Sequence, residues 1–252
     1  MGKIISITNQ KGGVGKTTTT VNLAAALAAT KKKVLVIDLD PQGNATTGCG
    51  IDKETLDEST NEVLLGESSF KDAVQKSEGG FDVLPANSDL TVAEIALLQR
   101  TDKENQLKKA LAHHLDQYHF VLIDCPPSLN MLTVNALIAS HSVIIPMQCE
   151  YYALEGLTSL LGTIKQVTQA GNPSLAIEGL LRTMYDGRNR LAVDVSEQLL
   201  HHFGDQVFRT VIPRNVRLAE APSHGLSAIQ YDKRSPGAIA YLTLAGEIIR
   251  RQ

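Results

Sequence analysis

The sequence predicts an α/β fold, a mostly parallel twisted sheet covered by helices on both faces. Three observations predict it. Strand-like and helix-like runs alternate along almost the whole chain. Several strand-like runs are continuously apolar, as in Val34-Leu35-Val36-Ile37, Val121-Leu122-Ile123 and Val143-Ile144-Ile145, which indicates burial on both faces. A glycine-rich loop joins the first strand-like run to the first helix-like run. With 252 residues and no evident linker, repeat or low-complexity tract, residues 1–252 are expected to form one domain.

Taken in order, the strand-like runs are 3–8, 34–38, 81–85, 120–124, 142–146, 177–183 and 207–212. The helix-like runs are 17–29, 90–99, 103–115, 131–139, 154–170, 192–203 and 236–250. Residues 50–80 are more polar and read as an insertion over the sheet. Sites in such folds gather at the carboxyl ends of the strands.

Composition narrows the function. A net charge of −3 argues against a uniformly basic nucleic-acid binder and leaves room for a local basic patch. Cys49, Cys125 and Cys149 are scattered and form no Cys-x-x-Cys pair, which fits reduced thiols in a cytoplasm. Cys125 reads as a packed thiol. Strand-like sequence begins at Lys3, so no leader is expected. No apolar run approaches the roughly 20 residues that span a bilayer. The pairs His113-His114 and His201-His202 read as surface residues, since adjacent helical side chains point apart. Lys31-Lys32-Lys33 reads as a solvated helix end.

The loop Gln10-Lys11-Gly12-Gly13-Val14-Gly15-Lys16-Thr17-Thr18 has the strand-loop-helix context of a phosphate cradle. Its glycines permit a tight turn that aims backbone N–H groups inward. The following helix adds unpaired N–H groups and its positive dipole end. Lys16 supplies a full charge for the outer phosphates, and the Thr17 hydroxyl is placed to hold magnesium. Gln10 stands where the ordinary pattern has Gly, and a second lysine, Lys11, opens the loop. Lys11 lies too near the entrance to share the role of Lys16. It is placed to reach a nucleotide on another subunit.

Acids follow at two strand ends. Asp38-Leu39-Asp40-Pro41-Gln42-Gly43 puts two carboxylates beside the loop. Asp40 is the candidate to orient or activate an attacking water, with Asp38 supporting it near magnesium. Val121-Leu122-Ile123-Asp124 is an apolar strand ending in acid, and Asp124 is the candidate to hold magnesium through a water.

With these motifs, the chain resembles the ParA/MinD-type deviant Walker ATPases, closest to the chromosomal ParA (Soj) subfamily. The resemblance covers nearly the whole chain. It rests on the loop 11–18, on 38–44, on Ile123-Asp124-Cys125-Pro126-Pro127-Ser128, on 148–156 and on 212–223. It implies the P-loop NTPase fold with ATP and Mg2+ as cofactors. Residues 11–18 would bind nucleotide, Lys11 would reach the partner's phosphates, and Asp40 would serve hydrolysis. Pro213 and Asn215 would line the adenine pocket. It also implies a homodimer when ATP is bound, non-specific binding of double-stranded DNA, and release when a ParB-like partner stimulates hydrolysis. The expected place is the cytoplasm, on the nucleoid, and not a membrane.

A DNA face needs local cations. Arg182, Arg188 and Arg190 flank one turn, and Arg214 and Arg217 follow another strand-like run. Arginine forks suit phosphate, and without interleaved aromatics the expected contact is backbone-directed and salt-dependent. Arg188 and Arg217 match positions that the resemblance implies for DNA. The rival is a MinD-like membrane-surface ATPase. The stripe Ala238, Tyr241, Leu242, Ala245, Ile248 and Ile249 could serve lipid, but it reads first as a terminal helix packed on its own sheet.

Overall fold

The computed structural model describes residues 2–251. Its strands are β1 (Lys3–Ile7), β2 (Val34–Asp38), β3 (Gln75–Lys76), β4 (Asp82–Leu84), β5 (Phe120–Asp124), β6 (Ser142–Gln148) and β7 (Ala176–Thr183). They form one sheet in the order β3-β4-β2-β5-β1-β6-β7. Every neighbouring pair is parallel except β3 with β4.

Alternate strand residues feed opposite faces. Ile5, Ile7, Val34, Val36 and Leu122 pack under the helices Lys16–Ala29 and Pro236–Arg250. Ile4, Leu35, Ile37, Val121 and Ile123 pack on the other face, under Thr60–Leu65, Leu90–Leu97 and Met131–Ala139. Near the β7 edge, Val143, Ile145 and Leu180 meet Ala153–Ala170 and Arg190–Phe203. Both faces are covered, so the strands carry unbroken apolar runs. β5 and β2 lie on one flank of β1 and β6 on the other, which makes the carboxyl end of β1 a topological switch point.

The terminal helix packs inward. Ser235 caps it by accepting from the Ala238 N–H, with Pro236 in the first turn. Ala238, Tyr241, Ala245 and Ile248 are buried, and the Tyr241 hydroxyl lies 3.0 Å from Thr19 Oγ1 on the Lys16–Ala29 helix. Leu242 and Ile249 pack against the same core at its margin. Among the described residues no helix is long and apolar enough to cross a membrane. The three cysteines are buried and free.

Three expectations are corrected. Segment 207–212 is not a strand and makes only a Leu180–Val207 bridge. Phe208 N–H still bonds the Leu180 carbonyl and Ile212 N–H the Arg182 carbonyl, but side chains take the backbone groups between them. The Arg182 guanidinium donates to the Phe208 and Arg209 carbonyls, and Glu247 accepts the N–H groups of Arg209 and Thr210. Phe208 packs where Gly179 leaves room, since a Cβ there would meet its ring at 2.5 Å. Residues 50–80 are more than a polar insertion. A Ser59–Glu62 capping box starts Thr60–Leu65, Val63, Leu64 and Phe70 enter the core with Leu35, and β3 extends the sheet. The run 103–115 is split around the helix Gln106–Leu111 because the Asn135 amide takes the Lys103 carbonyl and the Leu107 N–H.

Glu247 anchors the last helix to segment 207–212. It is 7% exposed and accepts from Arg209 N, Thr210 N and Thr210 Oγ1 at 2.9, 3.0 and 2.7 Å. Burial alone would raise its pKa, but the donors on Thr210 and Arg209 and the Arg251 charge outweigh burial and hold it below the ordinary value. A lowered acid contributes stability above its unfolded pKa of about 4.3 and loses it as pH falls through the folded value. Glu247→Gln should therefore cost about 1–3 kcal/mol at neutral pH in denaturant unfolding. The gap should close in acid. A gap that persists unchanged to about pH 3 would contradict an ionised anchor.

Candidate nucleotide and phosphate site

The loop after β1 is held from several sides. Asn9 donates to the Pro146 carbonyl at 2.8 Å and accepts the Lys11 N–H at 3.0 Å. Thr183, at the end of β7, donates to the Val14 carbonyl at 2.8 Å. Gly13 and Gly15 have φ of 72° and 87°, the left-handed region that glycine enters without strain. A Cβ on Gly12 or Gly13 would meet nothing within 4 Å, so this side of the loop is open. Gly15 is the helix N-cap, and no side chain caps the helix. Its first N–H groups remain available to an anion.

The two lysines of the loop face different ways. Lys16 is 7% exposed and folds over the loop, with Nζ donating to the Lys11 carbonyl at 3.1 Å. Burial pushes its ammonium below the usual pKa, against the pull of Asp124, Cys125 and Asp40. Among the described residues it has no ion-pair partner. A buried cation in an open cradle of N–H groups is matched to an anion. The Lys11 ammonium instead points outward and pairs with Glu150 Oε2 at 2.6 Å, both side chains being half-exposed.

Asp38 and Asp124 are register partners at the ends of β2 and β5, and both are fully buried. Asp124 accepts from Thr17 Oγ1 at 2.7 Å and from Thr20 Oγ1 at 3.0 Å. Asp38 accepts from Asp40 N, Thr46 N and Thr46 Oγ1. Burial and the neighbouring Asp38 raise the Asp124 carboxyl, and burial raises that of Asp38. The pair is therefore suited to a bound cation, and Thr17 and Asp124 supply the hard oxygen donors that magnesium takes. Asp40 lies beside them, nearly buried, with Oδ1 accepting the Gln42 N–H at 3.0 Å. Burial, then Asp124, push the Cys125 thiol above its usual range, as a packed thiol requires.

A cavity of about 440 Å³ adjoins the loop, lined by Gly15, Thr18, Met184, Pro213, Asn215 and Tyr241 among others. It has the size and apolar walls of a base pocket. The Asn215 Oδ1 atom is buried with no hydrogen-bond donor, an unmet bonding capacity at this wall. Sequence reasoning missed Thr183 and Met184, although the carboxyl end of a strand beside the switch point was a signal. Met184 has a positive φ of 49°. A larger cavity, about 590 Å³, is walled by Asp205, Arg209, Glu247 and Arg250 and shares no residue with the loop.

The arginines divide. Arg182 is buried and bonds Ser196 and backbone carbonyls, so it leaves the surface cluster expected of it. Arg188 is 91% exposed and pairs through Nε and Nη2 with Asp186 at 2.9 and 2.8 Å. Arg217 pairs with Glu220 at 2.7 Å and with Asp232 at 3.5 Å. The Tyr185–Pro213 bridge joins the loop that carries Arg188 to the segment that leads into the helix Val216–Glu220, which carries Arg217.

An acid with a raised folded pKa weakens the fold as pH climbs above its unfolded value of about 3.9. In magnesium-free thermal unfolding, Asp124→Asn should therefore gain on the wild type as pH rises from about 4 toward neutrality. A difference that does not move with pH would count against the buried-charge cost.

A family model described as an AAA domain matches residues 2–177. The chain is 53% identical to the sporulation initiation inhibitor protein Soj of Bacillus subtilis, covering 98% of each chain. It is 50% identical to the chromosome partitioning protein ParA of Caulobacter vibrioides, covering 99% of this chain and 95% of that one. The crystal structure of a cobyrinic acid a,c-diamide synthase from Mycobacterium smegmatis, with bound ATP analog and magnesium, aligns with a TM-score of 0.88 at 40% identity, over 100% of this chain and 96% of that one. The phosphate loop, the paired strand-end acids and these full-length identities agree, and the chain belongs to the ParA/Soj family of chromosome-partitioning ATPases.

Proposed function

We propose that this chain is a Mg-ATP-dependent partitioning ATPase whose ATP-bound dimer holds DNA without sequence preference and releases it on hydrolysis. The observation that carries the reading is the divergence of the two loop lysines, one buried over the cradle and one turned out to Glu150. The ATP analog and magnesium in the solved relative support the choice of cofactors.

In this reading Gly12, Gly13, Val14, Gly15 and Thr18 cradle the phosphates, and Lys16 neutralises them from above. Thr17 and Asp124 hold magnesium, which supplies charge neutralisation at the phosphate oxygens when bound. Asp38 works indirectly, since its oxygens fix the Asp40 and Thr46 backbone. Asp40 keeps Oδ1 on Gln42 and offers Oδ2 to orient water and accept its proton. Pro213 packs on the base and Asn215 bonds its edge. Lys11 leaves Glu150 to reach the nucleotide of a second copy, which makes assembly depend on nucleotide. Arg188 and Arg217 exchange their acidic partners for DNA phosphates, and a ParB-like partner speeds hydrolysis. A MinD-like membrane role would need the apolar face of the last helix for lipid, and that face is buried against the Lys16–Ala29 helix.

Lys16→Ala should abolish nucleotide binding, whereas Lys11→Ala should keep binding and lose ATP-dependent dimerisation in sedimentation. Asp40→Ala should dimerise with ATP and turn over at least about a hundredfold more slowly. On random-sequence duplex, wild type with ATP should bind with an affinity that falls steeply with salt. The double variant Arg188→Ala/Arg217→Ala should bind at least about tenfold more weakly and with a shallower salt slope. DNA binding by no nucleotide state would sink the partitioning assignment.

A further inference from the structure

We propose that Asp186 is a switchable guard of the arginine face: it holds Arg188 while the base cavity is empty, and passes to Arg214 when the cavity fills, which leaves Arg188 for phosphate. This rests on the DNA-binding reading above and supplies a device that makes such binding depend on nucleotide. The loop after β7 and the segment after Ile212 run side by side. Tyr185 donates its N–H to the Ile212 carbonyl at 3.0 Å and forms a parallel bridge with Pro213. Asp186 and Arg214 are the next residues on the two paths, so the bridge sets their backbones next to each other.

One carboxylate there serves two arginines. Arg188 holds it through three bonds, with Nε on Oδ1 at 2.9 Å, Nη2 on Oδ2 at 2.8 Å and its own N–H on Oδ1 at 3.0 Å. These bonds, and after them the Arg214 charge, hold the Asp186 carboxyl below its usual range. Arg214 has no ion-pair partner among the described residues. A guanidinium fork seated on a carboxylate cannot present the same fork to a phosphate. Arg188 is therefore masked although it stands in solvent.

The trigger lies in the cavity beside the phosphate loop, because Arg214 lines it together with Met184, Pro213 and Asn215. A base that fills this space removes water from the Arg214 side of the wall. A cation that loses water gains from a carboxylate beside it, and Asp186 is in that place. Ion pairs at an exposed surface are weak, so a small change around Arg214 is enough to move Asp186 from one arginine to the other. Arg217 stands outside this exchange, since its acids are Glu220 and Asp232.

Two measurements test the switch, both with Asp40→Ala to hold the ATP state. In the first, phenylglyoxal modifies free guanidinium groups without DNA, and mass spectrometry reads each arginine. Mg-ATP should raise the reactivity of Arg188 at least about twofold and lower that of Arg214. Protection of Arg214 with no change at Arg188 would overturn the switch, since the nucleotide alone would then cover Arg214. In the second, binding to random-sequence duplex is measured with ATP. Arg214→Ala should weaken it at least about threefold, and should have no effect once Asp186→Asn has removed the guard. That recovery cannot come from misfolding. Equal losses in both backgrounds would mean that Arg214 touches phosphate itself, and no loss in either would mean that it does nothing; each outcome would overturn the switch. Should no form bind DNA, the function proposed above fails, and the phenylglyoxal result still decides whether Asp186 changes partner.

Discussion

The burial of Asp124 at the end of the central strand β5 is the constraint on which the rest of the site depends. The parallel register brings Ile7, Asp38 and Asp124 level at three adjacent strand ends. Two buried carboxyls side by side are costly, since each loses water and each repels the other. The chain offsets this with Thr17 and Thr20 hydroxyls on Asp124 and with backbone and hydroxyl donors on Asp38. The same bonds fix the first turns of the Lys16–Ala29 helix against the sheet. The phosphate cradle is therefore positioned by the acids beneath it.

Around this centre the loop is clamped by neighbours far away in sequence. Asn9 ties it to β6, Thr183 ties it to β7, and Tyr241 holds its helix from behind. These contacts leave little for ligand binding to organise, which is the condition for strong electrostatic stabilisation. Thr183 also begins the turn through Met184 and Tyr185 to Arg188. Nucleotide cavity and arginine loops thus share one short piece of backbone.

Arginines gather on the loops beside β7 even though the net charge is −3, and Arg188 and Arg217 carry acidic partners there. Arg188, Arg190, Arg214 and Arg217 follow β7 and the segment beside it, at one sheet edge. Glu54 and Asp89 instead line a cavity with Pro41 and Gln42, just beyond the end of β2. Overall composition averages this arrangement away.

Six of the seven strands, most of the helices in their order, the phosphate loop and the strand-end acids were legible in the sequence alone. Those features are written locally, in apolar periodicity and in glycine, lysine and acid at fixed spacing. Tertiary structure decided the matters in which distant groups compete. Segment 207–212 reads as a strand until Arg182 and Glu247 take the backbone groups at its middle. Residues 50–80 read as a polar insertion until Val63, Leu64 and Phe70 find the face of β2. Arg182 reads like Arg188, yet one is buried in a bonding network and the other stands in solvent. Lys11 and Lys16 are neighbours in one motif, and only the position of Glu150, far along the chain, turns one outward. Local patterns reveal what a segment can form; which partner satisfies each polar group depends on what the fold brings within a few ångströms.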